Sequence, residues 1–519
     1  MKKIIKKTVS LLLIAIMAVS MAACGKKGSG SKDKNSNKDY SDRTEVKMKF
    51  WRSGLGEDFI QEMVDAFNEK QTKYYVTVSS TSSMAAVTNT LGLETEDETD
   101  LYVGLTLSSD HLEPLEDILD YTVEGESKSL KEKFRPIYLE NTTASDGHIY
   151  QLTTGGGNLG IVYNKALFKA AGMNKAPRTT DELVKACSQL KDNDIIPFIH
   201  FTSGGYWTYY VSVWQAQYDG YDYWRNTWCA NKDASGKSPS KEVFLKKDGR
   251  YEVLKVLEQL LNPDNIEKGS NSLDHISAQT MFLNSDIGMM VTGSWITKEM
   301  EGKGSLENYE MMKNPVVSAI VDKLTSVNND MQLRDLVDAI DAVTDGKASI
   351  DEYRSGNDYK VGGVTVSAAD WERVTEARNM VQGTMTGGVG IPKYSTEKEG
   401  AKEFLKFFYS DAGYQIFADC TRTVYPMELS TGELLDTSKW NSFEKKQYDV
   451  MRNSKYYIGD GPFMHDIFVY GGADAYGKSN YIIPFGSRNA AQRKTADQMW
   501  ETVIENFEIN YDSWAKNIE

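Results

Sequence analysis

The sequence predicts an α/β fold in at least two lobes, and three observations carry that expectation. The chain has 519 residues, more than one ordinary hydrophobic core accommodates. Its first apolar pattern reads strand, helix, strand: Val46, Met48 and Phe50 alternate, Phe59, Met63, Ala66 and Phe67 share a helix face, and Tyr75, Val76 and Val78 resume extended chain. A unit of this kind opens a parallel sheet with a right-handed crossover. Farther on, residues 159–163 (LGIVY) form a continuous apolar run, as a strand covered on both faces requires. Gly155-Gly156-Gly157 precedes it, and three side chains missing in a row mark a hinge or a close backbone approach.

Ahead of this folded part, Lys2, Lys3, Lys6 and Lys7 form a basic start and residues 9–22 a short apolar core, the pattern of an export signal. Residues 25–43 are Gly, Ser, Lys, Asn and Asp with almost no apolar side chain, which predicts a solvated tether. Composition is that of a globular protein, 40% hydrophobic and 26% charged, with a formal net charge of −15 that argues against nucleic acid as a partner. The cysteines beyond Cys24 (Cys187, Cys229 and Cys420) and the five histidines show no metal-ligand spacing, so neither a metal nor a cofactor is expected.

Taken in order, the elements are locally defined. Arg52 and Ser53 follow the first strand, at the sheet end where ligands bind in open α/β sheets; a plain surface charge is the other reading of Arg52. Asp146-Gly147 is a hairpin signal. Leu167, Phe168, Ala170 and Ala171 make a short helix ending at Gly172. Thr179 and Glu182 form a capping box, followed by the apolar face Leu183, Ala186, Cys187 and Leu190. Between residues 201 and 228 lie ten Tyr and Trp, more than packing normally uses. Their flat rings suit stacking on sugar rings, and Tyr206, Trp207 and, more weakly, Trp224 are the candidates. Later faces are Val253/Val256/Leu257/Leu260, Leu333/Leu336/Val337/Ile340, Trp371/Val374/Arg378/Val381, Ala401/Phe404/Leu405/Phe408 and Ala496/Met499/Trp500/Val503/Phe507.

DGHIYQL at 146–152, GIVYNKALFKAAGM at 160–173, PRTTDELVKACSQLK at 177–191 and AQTMFLNSDIGMMVTGSW at 278–295 resemble the extracellular solute-binding proteins of sugar-importing ABC transporters. The resemblance runs from residue 44 to the C-terminus. It implies a two-lobed, type II periplasmic-binding-protein-like clamshell, each lobe a sheet flanked by helices, joined by two or three crossing segments. It also implies that Trp295 faces the cleft, a core Trp being the alternative, and it adds Asn158 and Gly388 to the candidate ligand contacts. Tyr425 is a further speculative contact. Met21-Ala22-Ala23-Cys24-Gly25 is similar to a lipoprotein signal, with Met21 where that family prefers Leu. This implies cleavage after residue 23, a lipid on Cys24 and attachment to the extracytoplasmic face of the cell membrane.

The expected organisation is then a signal peptide at 1–23, Cys24 and the tether at 24–43, a first lobe at 44–153 plus 312–395, and a second at 154–311 plus 396–519. About seventy residues, 318–385, separate two return strands that lie closer together in shorter members of the family. The expected partners are a carbohydrate, an oligosaccharide by the weight of Trp and Tyr, and an ABC permease, with the receptor monomeric. A peptide ligand is an alternative, as is a glycoside hydrolase, which needs two carboxylates across a cleft. Gly155 to Gly160 leads into a strand rather than a helix N-terminus, so it is not a dinucleotide loop, and no G-x-S-x-G elbow occurs.

Overall fold

The computed structural model describes residues 40–93, 98–104, 107–144, 146–201, 206–229, 240–385, 388–454, 456–459 and 482–518. The export signal, Cys24 and nearly all of the tether lie outside these residues. No helix among the described residues is long and apolar enough to cross a membrane. Residues 44–519 form one unit built on two main sheets.

The first sheet takes β1 (Thr44–Trp51), β2 (Tyr74–Thr81), β3 (Leu101–Gly104) and β4 (Leu152–Thr153) from the beginning of the chain. β2 and β3 flank β1 in parallel, as the strand–helix–strand pattern predicts. The helix Asp58–Lys70 buries Phe59, Ile60, Met63, Val64 and Phe67 against this sheet. The second sheet is built on β5 (Gly156–Asn164), which contains the LGIVY run. β6 (Ile196–Ile199), β7 (Ile287–Gly293) and β8 (Tyr309–Met311) complete its early part, β7 and β8 pairing antiparallel to β5 and β6 parallel to β7. Thr179 caps the helix Thr180–Lys191 by accepting from the Glu182 N–H at 3.3 Å. The Glu182 side chain does not return to the cap; Arg178 holds it at 2.6 and 2.9 Å.

The chain crosses between the sheets first at Thr154-Gly155. A Cβ on Gly155 would overlap the Phe417 ring tip and stand 3.3 Å from Leu55 Cδ1, so this hinge needs glycine. A small sheet, β9 (Arg354–Ser355), β10 (Asp358–Val361) and β11 (Val364–Val366), lies within the long insert. β12 (Met380–Met385) then pairs with β5, and β13 (Gly388–Gly390) joins β3 and β4, so the second crossing falls between them. Met427 bridges Phe134 of the first lobe, and the helix Ser442–Asn453 and β14 (Tyr456–Gly459) return the chain to the second sheet, making a third crossing.

These pairings correct the expected lobe boundaries. Residues 312–385 belong with the second lobe, not the first. Trp214 Nε1 donates to Pro315 O at 3.1 Å, Val317 N donates to Gln217 Oε1 at 2.9 Å, and Arg178 reaches Asp338 at 2.5 Å. Conversely, the helices Lys398–Phe408 and Asp411–Thr421 pack on the first lobe, with Phe404 against Phe67 and Phe417 against Phe59, both at 5.3 Å. Burial of those rings decides the assignment, and of residues 396–519 only the described chain beyond the third crossing lies with the second lobe.

Candidate functional site

At the end of β7 the chain turns sharply toward the first lobe. Ser294 N donates to Asn158 O at 2.9 Å, tying this turn to β5, and Trp295 opens the single helical turn Ile296–Glu299. The indole folds back over Gly293, where a Cβ would overlap three ring carbons. Tyr206 meets the indole edge-on, with centroids 5.3 Å apart and an interplanar angle of 76°. Beside this pair, Gln279 Nε2 donates to Glu299 Oε2 at 2.8 Å, and His275 Nε2 lies 3.7 Å from Glu299 Oε1. Burial pushes the Glu299 carboxyl above the usual carboxylate range, opposed by the Gln279 hydrogen bond, His275 and Lys303. Burial also pushes the Tyr206 hydroxyl up to about 12, aided by Glu299 and opposed by a hydrogen bond with Trp295.

The first lobe closes over this corner with the turn after β1. Arg52 N donates to Thr81 O at 2.8 Å, its half-exposed guanidinium lies 3.4 Å from Glu57, and Ser53 bridges Gly56. Between them and Leu55, Gly54 approaches so closely that a Cβ would stand 3.1 Å from Glu299 Oε1 and 3.8 Å from Trp295 Cβ. Lys298 and Asp58 add a contact between the lobes at 3.8 Å. The structure therefore brings the Arg52–Ser53 turn, Asn158, Tyr206 and Trp295 to one interlobe face. Gly388 sits in the first sheet opposite Gly104 and Thr153, where its missing side chain leaves room for the Gln151 amide.

Two of the expected stacking residues are elsewhere. Trp207 is 1% exposed and packs edge-on against Phe198 with centroids 5.0 Å apart; Trp224 is 3% exposed. Both are buried: Trp207 opens the helix Trp207–Asp219, which has the second sheet on one side and the insert on the other, and Trp224 ends the following short helix Tyr221–Trp224. Tyr210 and Trp214 satisfy their polar ends on Asn314 and Pro315 inside that layer. Tyr425 is likewise core, stacked on Phe417 at 4.2 Å and Tyr414 at 5.1 Å. Gln279 and Glu299 were not legible as site residues. The available signals were spacings: Gln279 is four residues after His275 on one helix, and Glu299 is four after Trp295.

The corner gathers two aromatic rings, a carboxylate and several amide and hydroxyl groups between the lobes. Comparison with solved structures agrees with this architecture. The chain is similar to maltose-bound MalE3 of T. maritima (14% identity, TM-score 0.58, covering 90% of this chain and 99% of that one). It is also similar to the mannobiose-bound ABC-transporter binding protein BlMnBP1 of Bifidobacterium animalis subsp. lactis (16%, 0.54, 91% and 96%) and to a chitin oligosaccharide binding protein (16%, 0.57, 90% and 100%). Compared with curated protein sequences, the chain finds no match. The family model for bacterial extracellular solute-binding proteins matches residues 53–415. Family model and lobe architecture agree: this chain belongs to the bacterial extracellular solute-binding proteins, a family of binding proteins with a two-lobed α/β fold.

Proposed function

We propose that this protein is the lipid-anchored receptor of a carbohydrate ABC importer, capturing an oligosaccharide between its lobes and presenting it to the permease. The observation that carries this reading is the Trp295–Tyr206 pair set beside the Glu299–Gln279 hydrogen bond, on a face that the Gly54 turn closes from the other lobe. Aromatic faces stack on the C–H faces of pyranose rings, while the amides and the carboxylate bond ring hydroxyls. The bound maltose and mannobiose of the similar structures support a sugar as the solute. Capture proceeds by hinge closure about the crossings, of which Thr154-Gly155 packs directly on Phe417. Cleavage before Cys24 and lipidation of its thiol would hold the receptor at the membrane through residues 25–43. The receptor works as a monomer.

The test is intrinsic tryptophan fluorescence of the chain from Ser41 onward, titrated with oligosaccharides and with peptides as a control. Each sugar is then recovered and checked for cleavage. Saturable quenching with intact sugar is the expected result, and Trp295→Ala should weaken it by at least about tenfold, the equivalent of 1.4 kcal/mol. A response to peptides alone would remove the carbohydrate assignment, and shortened products would make the protein a glycoside hydrolase.

A further inference from the structure

Glu299 stands one helical turn beyond Trp295, and its hydrogen bond to Gln279 has a consequence for the whole corner. An ionised carboxylate cannot donate, so the Gln279 amide must turn Nε2 toward Glu299 and Oε1 away from it. Gln279 is fully buried, yet no donor among the described residues meets that Oε1. Asn158 Oδ1 and Ser294 Oγ, buried where β5 begins and β7 ends, also lack partners among the described residues. Buried polar atoms are nearly always satisfied, so three such atoms near Trp295 mark groups open to a solute; Thr297 Oγ1, on the Trp295 turn, and the donor Trp207 Nε1 also lack partners among the described residues. Two of the three are acceptors only, and the Glu299 carboxylate adds two further acceptor oxygens. The cations nearby do not alter this balance: His275 stands at 3.7 Å, and Lys303 Nζ is engaged with the main-chain oxygen of Glu299 at 2.9 Å. The acceptors gathered around Glu299 ask for donors.

We propose that Glu299 is the specificity-determining residue of the cleft, reading a donor-rich edge of the sugar that stacks on Trp295. That edge is either a pair of ring hydroxyls or a protonated amine. The inference rests on the carbohydrate reading above and says which chemistry that reading requires. Stacking on Trp295 and Tyr206 accepts any ring with an apolar face and discriminates little between substituents. A desolvated carboxylate does discriminate, because an analogue without the donor leaves a buried acceptor unmet. Gln279 positions Glu299 by holding Oε2, which leaves Oε1 directed at the side closed by Gly54.

The experiment titrates native protein and Glu299→Gln with maltotriose, raffinose, mannobiose, chitin oligosaccharides and chitosan oligosaccharides, following fluorescence and heat. Glutamine keeps the shape and still accepts from Gln279, so the thermal midpoint should stay near the native value. The best native ligand should bind Glu299→Gln about 10- to 100-fold more weakly, as expected for loss of a hydrogen bond to a charged group. A neutral sugar as best ligand identifies the hydroxyl pair, and chitosan oligosaccharides identify the amine. Binding by the variant within threefold of native overturns the assignment of Glu299 while leaving the sugar receptor intact. If native protein binds none of the panel, the carbohydrate reading fails, and this assignment fails with it. Should Glu299→Gln melt well below native, monodeoxy analogues of the best ligand replace it: one position must cost at least tenfold, and none doing so overturns the proposal.

Discussion

Replacing Gly293 by alanine tests the position of Trp295 without removing its indole. The added Cβ would lie inside 3.0 Å of three indole carbons, whereas carbon atoms in ordinary contact stand about 3.5–4.0 Å apart. Either the strand or the ring must yield. The strand is held, because Gly293 pairs with Leu159 at the centre of the second sheet. The ring must therefore retreat by about 1 Å or more, against Tyr206 on one side and toward the Gly54 turn on the other. Overpacking of this kind costs about 1–3 kcal/mol of stability. A stacking surface displaced by that distance should lose about tenfold or more in carbohydrate affinity, 1.4 kcal/mol per decade. Calorimetric titration with the best sugar measures the affinity, and a thermal melt reports the fold. Native affinity in a variant that melts below native would show that the indole moves and the ligand does not notice, which would refute Trp295 as a wall of the site.

Two further predictions concern stability. Burial, with Asp248 nearby, pushes the Asp219 carboxyl from 3.8 up to about 7, so its ionisation opposes folding by about 4 kcal/mol at pH 8. Because the folded value is the higher one, the native protein keeps this stability below about pH 4 and loses it as pH rises toward 7; Asp219→Asn escapes the loss, and its advantage in urea midpoints should be about 2–3 kcal/mol larger at pH 8 than at pH 5. An advantage independent of pH would refute the account. Lys133 is wholly buried, with Glu126 at 2.6 Å, Asp411 at 2.8 Å and Tyr409 O at 2.9 Å. Lys133→Met should cost about 3–5 kcal/mol by leaving two carboxylates without their cation, and a chemical-denaturation midpoint near native would count against that.

What the sequence revealed and what it hid separate along a physical line. Helix faces were legible because the period lies in the chain itself: Leu183, Ala186, Cys187 and Leu190 are all buried, as are Leu333, Leu336, Val337 and Ile340. Trp295 was marked as a candidate by its motif. Glu299 was not, since one carboxylate among 74 acidic residues carries no local mark. Lobe membership was hidden for a different reason. A crossing such as that between β12 and β13 has no periodicity of its own, and only pairing partners reveal which sheet a short glycine-bearing strand joins.

The aromatic stretch at 201–228 joins these two failures. Its excess of rings looked like a ligand surface because a helix with one buried face needs fewer of them. The second face becomes visible only with the insert in place. Once residues 312–385 are seated on the second lobe, the helix Trp207–Asp219 acquires a second buried face: Trp214 bonds Pro315, Gln217 bonds Val317 and Ala377, and Arg373 reaches the carbonyls of Gln217 and Tyr218. Tyr210 and Trp214 suit such an internal layer, since each fills volume and still meets an amide or a carbonyl there. The insert and the aromatic helix are thus one packing unit. Trp207 is buried in that layer, whereas Tyr206, where the helix begins, and Trp295, where β7 ends, meet each other outside it and carry the proposed site.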